Sequence, residues 1–228
     1  MREMTLDGRL FSVGKFVRQG AQFADIGTDH AYLPIYLLKR GIIKSAVAAD
    51  INEGPLNSAR EHASTMGITD NIKFVLTNGV QGLEGENLTD IAIAGMGGEL
   101  IAEIIDKEDF LKNKDLRLIL QPMTKQAHLR RYLLNSGFKI TAESYSSSAS
   151  KFYVTMCVEY CGEKRDPDIF EAEFGNPEFL REITDEARGY LMKKRSSLYR
   201  TLKGRIAGGD SEPEELALCS YVDKILSL

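Results

Sequence analysis

The sequence predicts an α/β fold: a mostly parallel seven-stranded sheet with one antiparallel strand, followed by a C-terminal antiparallel helical hairpin. Three observations predict it. Short apolar runs alternate five times with segments of helical periodicity, two strand-like runs then follow one another directly, and from residue 163 the chain turns charged and helical. Alternating strands and helices enforce parallel pairing through right-handed crossovers, with helices on both sheet faces. Two strands joined by a short link pair as a hairpin, which sets one antiparallel strand into the sheet.

The elements follow in order. Residues 5–17 place Leu6, Leu10, Val13 and Val17 at helical spacing, an amphipathic leader helix. QFADIG (22–27) is the first strand, with a helix over 32–40. SAVAADI (45–51) is the second, with a helix over 54–66, and NIKFVL (71–76) is the third. TDIAIA (89–94) is the fourth, with a glycine-rich turn and a helix over 99–106 behind it. LRLIL (116–120) is the fifth, with a helix near 124–135, and 138–143 and 151–160 are the closing pair.

Residues 163–174, charged and holding Pro167, read as a linker. A long helix over 177–206 carries Phe179, Ile183, Tyr190, Leu191, Leu198 and Leu202 near helical spacing. Gly208, Gly209, Asp210 and Pro213 mark a turn before a second helix over 214–228, with Leu216, Cys219, Val222 and Leu226 on one face. The expected division is a ligand-binding domain over 1–162 and a helical domain over 163–228.

Bulk properties narrow the function classes. A chain of 228 residues holds one α/β domain plus a smaller appendage. The opening MREMTLDGRLF lacks the apolar core of a secretory leader, and no apolar run reaches the ~18–20 residues of a membrane span, so a soluble cytoplasmic protein is expected. Cys157, Cys161 and Cys219 form neither an even set nor a CxxC pair, and His30, His62 and His128 are scattered. Cysteine as packing, with no metal, is the expectation. The net charge of −4 argues against a surface coated in positive charge but leaves a local basic patch open.

The motifs lie at the ends of strands. Asp25 and Gly27 close the first strand, where Gly27 permits a sharp turn and lets a nucleoside cofactor approach the backbone. Thr28 follows them. The run departs from GxGxxG, because positions 29 and 32 are Asp and Tyr, and a pyrophosphate would be repelled by Asp29. S-adenosylmethionine carries no phosphate and has cationic sulfonium and amino groups, so these acids favour it over a nicotinamide cofactor. Asp50, 25 residues past Asp25, is placed to accept the ribose hydroxyls, with Ile51 beside it.

Asn78-Gly79 either bonds an adenine edge or forms a tight turn. Ala94-Gly95-Met96-Gly97-Gly98 lets backbone approach a ligand closely and leaves free amides at a helix start. Ala94, Gly95 and Met96 are assigned to the cofactor and Gly97 to the substrate. A glycine turn offers no side chain to accept an exocyclic amino proton, which suits a ring-nitrogen target. Gln121-Pro122 faces the same cleft, as a substrate-orienting amide and a fixed turn or as a turn alone.

DIGTDHAYLP, AADIN, the NG pair, IAGMGG and LILQP, in this order, resemble the bacterial tRNA (adenine-22-N1)-methyltransferase family of the TrmK type. The resemblance spans nearly the whole chain. It implies a class I Rossmann-like methyltransferase domain, a coiled-coil-like helical domain, and methyl transfer to adenine N1 in the D-arm region of tRNA. The donor would be S-adenosylmethionine and the product S-adenosylhomocysteine. The resemblance places the cofactor over Asp25, Gly27, Asp50, Asn78 and Gly95. Two positions depart: the family often has Asp where Asn78 stands and Asn where Met123 stands, and Met123 can only pack.

N1 attack turns the base positive, so a carboxylate nearby stabilises it. Asp29 is the first candidate, with His30 as relay or orienting group; the other reading of Asp29 is an N-cap for a helix over 29–40. N1 lies on the Watson–Crick edge, so the base must leave its stack. Tyr32 is either a stacking partner for it or core. In the tail, Arg188, Lys193, Lys194, Arg195, Arg200, Lys203 and Arg205 occur with no acid between 188 and 205, a phosphate-tracking surface or a solvated face. The expected partner is tRNA, with the protein a monomer or weak homodimer. The rivals are a nicotinamide-dependent oxidoreductase, a methyltransferase of another substrate, and a non-catalytic RNA-binding module on a methyltransferase fold.

Overall fold

The computed structural model describes residues 4–181, 183–209 and 214–227. Its sheet contains β1 (Gln22–Ile26), β2 (Ser45–Asp50), β3 (Ile72–Leu76), β4 (Asp90–Gly97), β5 (Arg117–Thr124), β6 (Phe138–Ser148) and β7 (Lys151–Tyr160). The strand order is β3-β2-β1-β4-β5-β7-β6. β1 through β5 pair in parallel, and β7 lies antiparallel to both β5 and β6. The order in which strands are added reverses between β1 and β4, so the carboxyl ends of β1, β2 and β4 open into one crevice, where α/β sheets bind ligands.

Helices cover both faces because the central strands are apolar on both sides. Phe23, Ala46, Ala92 and Ile119 face one way, against Val13 of α1 (Gly8–Gly14) and Leu33 and Leu37 of α2 (Tyr32–Lys39). On that face Ala48 also packs on Ala59 and Ala63 of α3 (Glu53–Thr65). Ala24, Ile26, Ile93, Leu118 and Leu120 face the other way, against α4 (Gly98–Asp106) and α5 (Gln126–Asn135). Tyr190, Leu191 and Leu198 of α7 (Asp185–Ala207) and Val222 of α8 (Glu214–Leu226) join this second core, so the C-terminal helices are packed into the body. Gly189 allows the approach, since a Cβ there would run into the Phe152 ring of β7.

α7 and α8 form the expected antiparallel hairpin. Arg188 Nη1 donates to the Leu226 carbonyl at 3.0 Å, Arg195 pairs with Asp223, and Arg205 meets Glu215 at 3.2 Å. Asp210 and Pro213 of the anticipated turn lie outside the described residues.

Several boundaries differ from the sequence expectation. The leader helix is only Gly8–Gly14, started by Asp7, whose carboxylate accepts the Leu10 amide at 2.8 Å. It is seated on the hairpin strands: Ser12 Oγ and Thr155 Oγ1 are 2.6 Å apart in the interior, and Gly8 lies against the Ser147 carbonyl. β4 runs on through the glycines to Gly97, and β5 through Pro122 to Thr124. Pro122 pairs with Met96 where the β4–β5 register slips, a place where a missing N–H is tolerated. The expected linker contains α6 (Ile169–Phe174), capped by Asp168. The expected helix over 177–206 divides into a short 3₁₀ turn, Pro177–Leu180, and α7, capped by Thr184.

The three cysteines are unpaired. Among the described residues, no group of three or more His, Cys, Asp or Glu is arranged to hold a metal, and no helix is long and apolar enough to cross a membrane.

Candidate active site

A cavity of about 330 Å³ opens at the carboxyl ends of β1 and β4, walled by Asp25, Gly27, Asp29, Tyr32 and Ala94 and roofed by the segment leading into α1. Gly27 makes the first turn. Its φ of +73° is left-handed, and a Cβ there would collide with Met96 Cε. The amides of Gly27 and Thr28 both donate to the Ala49 carbonyl, at 2.8 and 3.0 Å, which ties the turn to β2. Thr28 Oγ1 then donates to Asp25 Oδ2 at 2.7 Å.

Asp25 is 7% exposed. Burial pushes its pKa up to about 6; the Thr28 hydroxyl and the Arg9 guanidinium pull it down, and Asp50 raises it further. A buried carboxyl held near neutrality is stabilised as the anion by any cation entering the cavity.

Asp50 ends β2 next to this turn, its Oδ1 accepting the Asn52 amide at 2.8 Å. Ile51 beside it is 60% exposed, an apolar face at the cleft edge. Asn78 is exposed, and Gly79 holds φ +65° with Ile104 packed 3.0 Å from where a Cβ would stand. These groups line the strand ends in the order that a ribose and then an adenine require. The glycine cradle, the acids and the apolar edge therefore fit S-adenosylmethionine.

The glycine run of β4 does several jobs, and free amides are not all of them. Gly95 (φ +81°) donates its N–H to Gln121 Oε1 at 3.1 Å, so that amide is spent within the protein. Gly97 precedes α4, and a Cβ on Gly98 would strike the Lys125 carbonyl. Met96 is half-buried over Gly27.

Gln121 departs from the expected role. It has no exposure; its Oε1 accepts from Gly95 and from Arg9 Nη1, both at 3.1 Å, and its Nε2 is 3.2 Å from the Pro122 carbonyl. Both ends of the amide are committed to protein partners, so it supports the cleft wall without facing a substrate. Pro122 is likewise buried within β5.

Asp29 and His30 stand at the mouth. The Asp29 side chain is 78% exposed, with His30 Nε2 3.4 Å from its Oδ1. Asp29 is not an N-cap: α2 begins at Tyr32 behind Ala31, with no side-chain cap. His30 and Ala31 both adopt left-handed φ values, +59° and +51°, a costly pair for residues bearing a Cβ. His62 of α3 supports this bend, its Nδ1 lying 2.8 Å from the His30 carbonyl. The Tyr32 ring, 42% exposed, stands 5.4 Å from His30 and 5.1 Å from His62.

The tail cations separate into two groups. Lys194 pairs with Glu173 at 2.8 Å, while Arg195, Arg188 and Arg205 hold α8. Lys193, Arg200 and Lys203 are exposed and, among the described residues, make no ion pair. Their spacing of seven and three places them on one side of α7.

Arg9 and His62 were not singled out in the sequence. Arg9 is an ordinary polar position in an amphipathic helix, and His62 lies 32 residues from His30. No local pattern marks either.

Residues 6–156 match a methyltransferase-domain family. The tRNA (adenine(22)-N(1))-methyltransferase of Bacillus subtilis (strain 168) is 35% identical over 160 residues, covering 70% of this chain and 67% of that protein. Sp1610 of Streptococcus pneumoniae, solved in complex with S-adenosyl-L-methionine, superposes with a TM-score of 0.82 at 35% identity, covering 96% and 98% of the two chains. Mycoplasma capricolum TrmK, solved with S-adenosyl-homocysteine, superposes with a TM-score of 0.77 at 28% identity, covering 98% and 96% of the two chains. The family match, the identity to the Bacillus subtilis enzyme and the near-full-length superpositions agree, and the chain belongs to the tRNA (adenine(22)-N(1))-methyltransferase family.

Proposed function

We propose that this chain transfers a methyl group from S-adenosylmethionine to N1 of an adenine in tRNA, at the position the curated relative's name gives as 22. The observation that carries the reading is the buried Asp25, its pKa raised to about 6, beside the Gly27 turn, in a cavity whose mouth holds the exposed carboxylate of Asp29. The relatives solved with S-adenosyl-L-methionine and with S-adenosyl-homocysteine support the cofactor.

When bound, S-adenosylmethionine supplies an electrophilic methyl on a sulfonium and leaves as S-adenosylhomocysteine. The chain's residues do the rest. Asp25, Gly27 and Thr28 hold the amino-acid end, with Ala94, Gly95 and Met96 opposite. Asp50 accepts the ribose hydroxyls, Ile51 packs on the adenine, and Asn78 and Gly79 bound its edge. Asp29, oriented by His30, faces the positive charge that develops on the base, Tyr32 stacks on the flipped ring, and Gly97 leaves room for it. Gln121 and Pro122 hold the wall from behind. Residues 1–162 carry this chemistry and 163–228 carry the tRNA contact, through Lys193, Arg200 and Lys203.

Incubation with methyl-labelled S-adenosylmethionine and bulk tRNA, followed by digestion and mass spectrometry, tests the reading. The expected product is 1-methyladenosine at one position. Label on an exocyclic nitrogen would overturn the target, and no label on any RNA would overturn the activity.

A further inference from the structure

Arg9 has no part in the chemistry above, yet it stands in the cavity. Among the described residues that line the cavity it is the one cation, beside Asp7, Asp25 and Asp29. Its setting is built. Nη1 donates to Gln121 Oε1 at 3.1 Å, and Gln121 is fully buried and fixed from its other side by the Gly95 amide. Gly95, at φ +81°, leaves the guanidinium its space, for a Cβ there would stand 3.3 Å from Nη1. The backbone of Arg9 is also held, its carbonyl accepting from Ser12 Oγ at 2.8 Å.

One hydrogen bond uses one of the five N–H groups of a guanidinium. Among the described residues the others have no protein partner, and no ion pair joins Arg9 to Asp25, although the two sense each other's charge. A cation and an acid thus flank the same end of the cavity without neutralising each other. That end lies against β1 and β4, where the amino-acid portion of the cofactor belongs. This portion is a zwitterion: its ammonium suits Asp25, and its carboxylate suits Arg9, the one cation among the described residues that line the cavity.

We infer that Arg9, moored by Gln121, binds the α-carboxylate of the cofactor and lets the enzyme discriminate against ligands that lack it. The inference rests on the proposed cofactor but not on the identity of the methylated base. The rival anion is a phosphate of the bound RNA.

Calorimetric binding of S-adenosylhomocysteine and of its decarboxylated analogue, with no RNA present, tests the assignment. A charge-assisted hydrogen bond predicts that wild-type protein prefers the carboxylate-bearing ligand by about 10- to 100-fold. Arg9→Met should lose that preference while binding the decarboxylated analogue as well as wild type does, which also shows that the cavity is folded. Arg9→Lys should retain part of the preference. Equal weakening toward both ligands would make Arg9 a support of the roof and overturn the inference. An unchanged preference, with only tRNA affinity reduced, would overturn it in favour of the phosphate. If neither ligand binds wild-type protein, the cofactor reading itself fails.

Discussion

Arg130 of α5 and Glu143 of β6 form an ion pair in which neither side chain touches solvent, with Nε 2.7 Å from Oε1. Burial opposes the Arg130 charge, but the Glu143 carboxylate outweighs it and raises the guanidinium's pKa. Arg130 Nη1 also donates to the carbonyls of Ala172 and Glu173, both at 3.1 Å. The pair therefore clasps α6, and with it the start of the helical tail, to the sheet.

Removing one member strands a buried charge. Arg130→Met or Glu143→Leu should each cost about 3–5 kcal/mol by chemical denaturation. The double variant should cost less than the sum of the two. Additive losses would show that the groups act separately.

Asp25 sets the pH dependence of ligand binding. Its folded pKa of about 6 lies above the ordinary 3.8, so the folded protein holds this proton more tightly than the unfolded chain. The resulting stabilisation is full below pH 3.8 and is lost as pH rises through 6. An incoming ammonium requires the anion, so S-adenosylhomocysteine affinity should fall about tenfold from pH 7 to pH 5, with proton uptake at the carboxyl opposing binding. Asp25→Asn should flatten the profile. A wild-type profile as flat as the variant's would remove Asp25 from the ammonium's surroundings.

Asp29 is separable from cofactor binding because it is exposed at the mouth. Asp29→Asn should lower turnover by about 100-fold or more, in the range of one preorganised electrostatic group, with S-adenosylhomocysteine affinity unchanged. Near-normal turnover would transfer the role to His30 or leave positioning alone as the source of rate.

The two groups of tail cations should behave differently. Replacing Lys193, Arg200 and Lys203 together with Ala should weaken tRNA binding and reduce the slope of log affinity against log salt by about 2–3. Lys194→Ala and Arg195→Ala, which break pairs with Glu173 and Asp223, should instead lower the melting temperature. Equal effects of both sets on tRNA would dissolve the distinction.

The seven strands and their closing antiparallel pair were legible because two strand-like runs follow one another directly, and Asp25 with Gly27 left a local mark at a strand end that lines the cavity. The extent of β4 and β5 was not, since Gly95 and Pro122 read as breakers. Only the slipped register between those two strands accommodates them. Arg9, His62 and Arg130 were invisible for another reason. Each acts on a group brought near by the fold: Gln121 at 112 positions' distance, His30 at 32, Glu143 at 13. The basic run over 188–205 was seen as a unit, but its division into bonded and unbonded cations depends on acids of α6 and α8.

The seat of α1 on β6 and β7 has a consequence for biosynthesis. The roof of the cavity leaves the ribosome early, while the contact between Ser12 and Thr155 spans 143 positions. Closing so long a loop is deferred until the hairpin strands exist. A nascent chain that has completed β1, β2 and β4 therefore has the floor of the cleft without its cover. The ligand can act as a folding clamp only after translation has passed β7, so premature chains gain nothing from it and remain open to proteolysis.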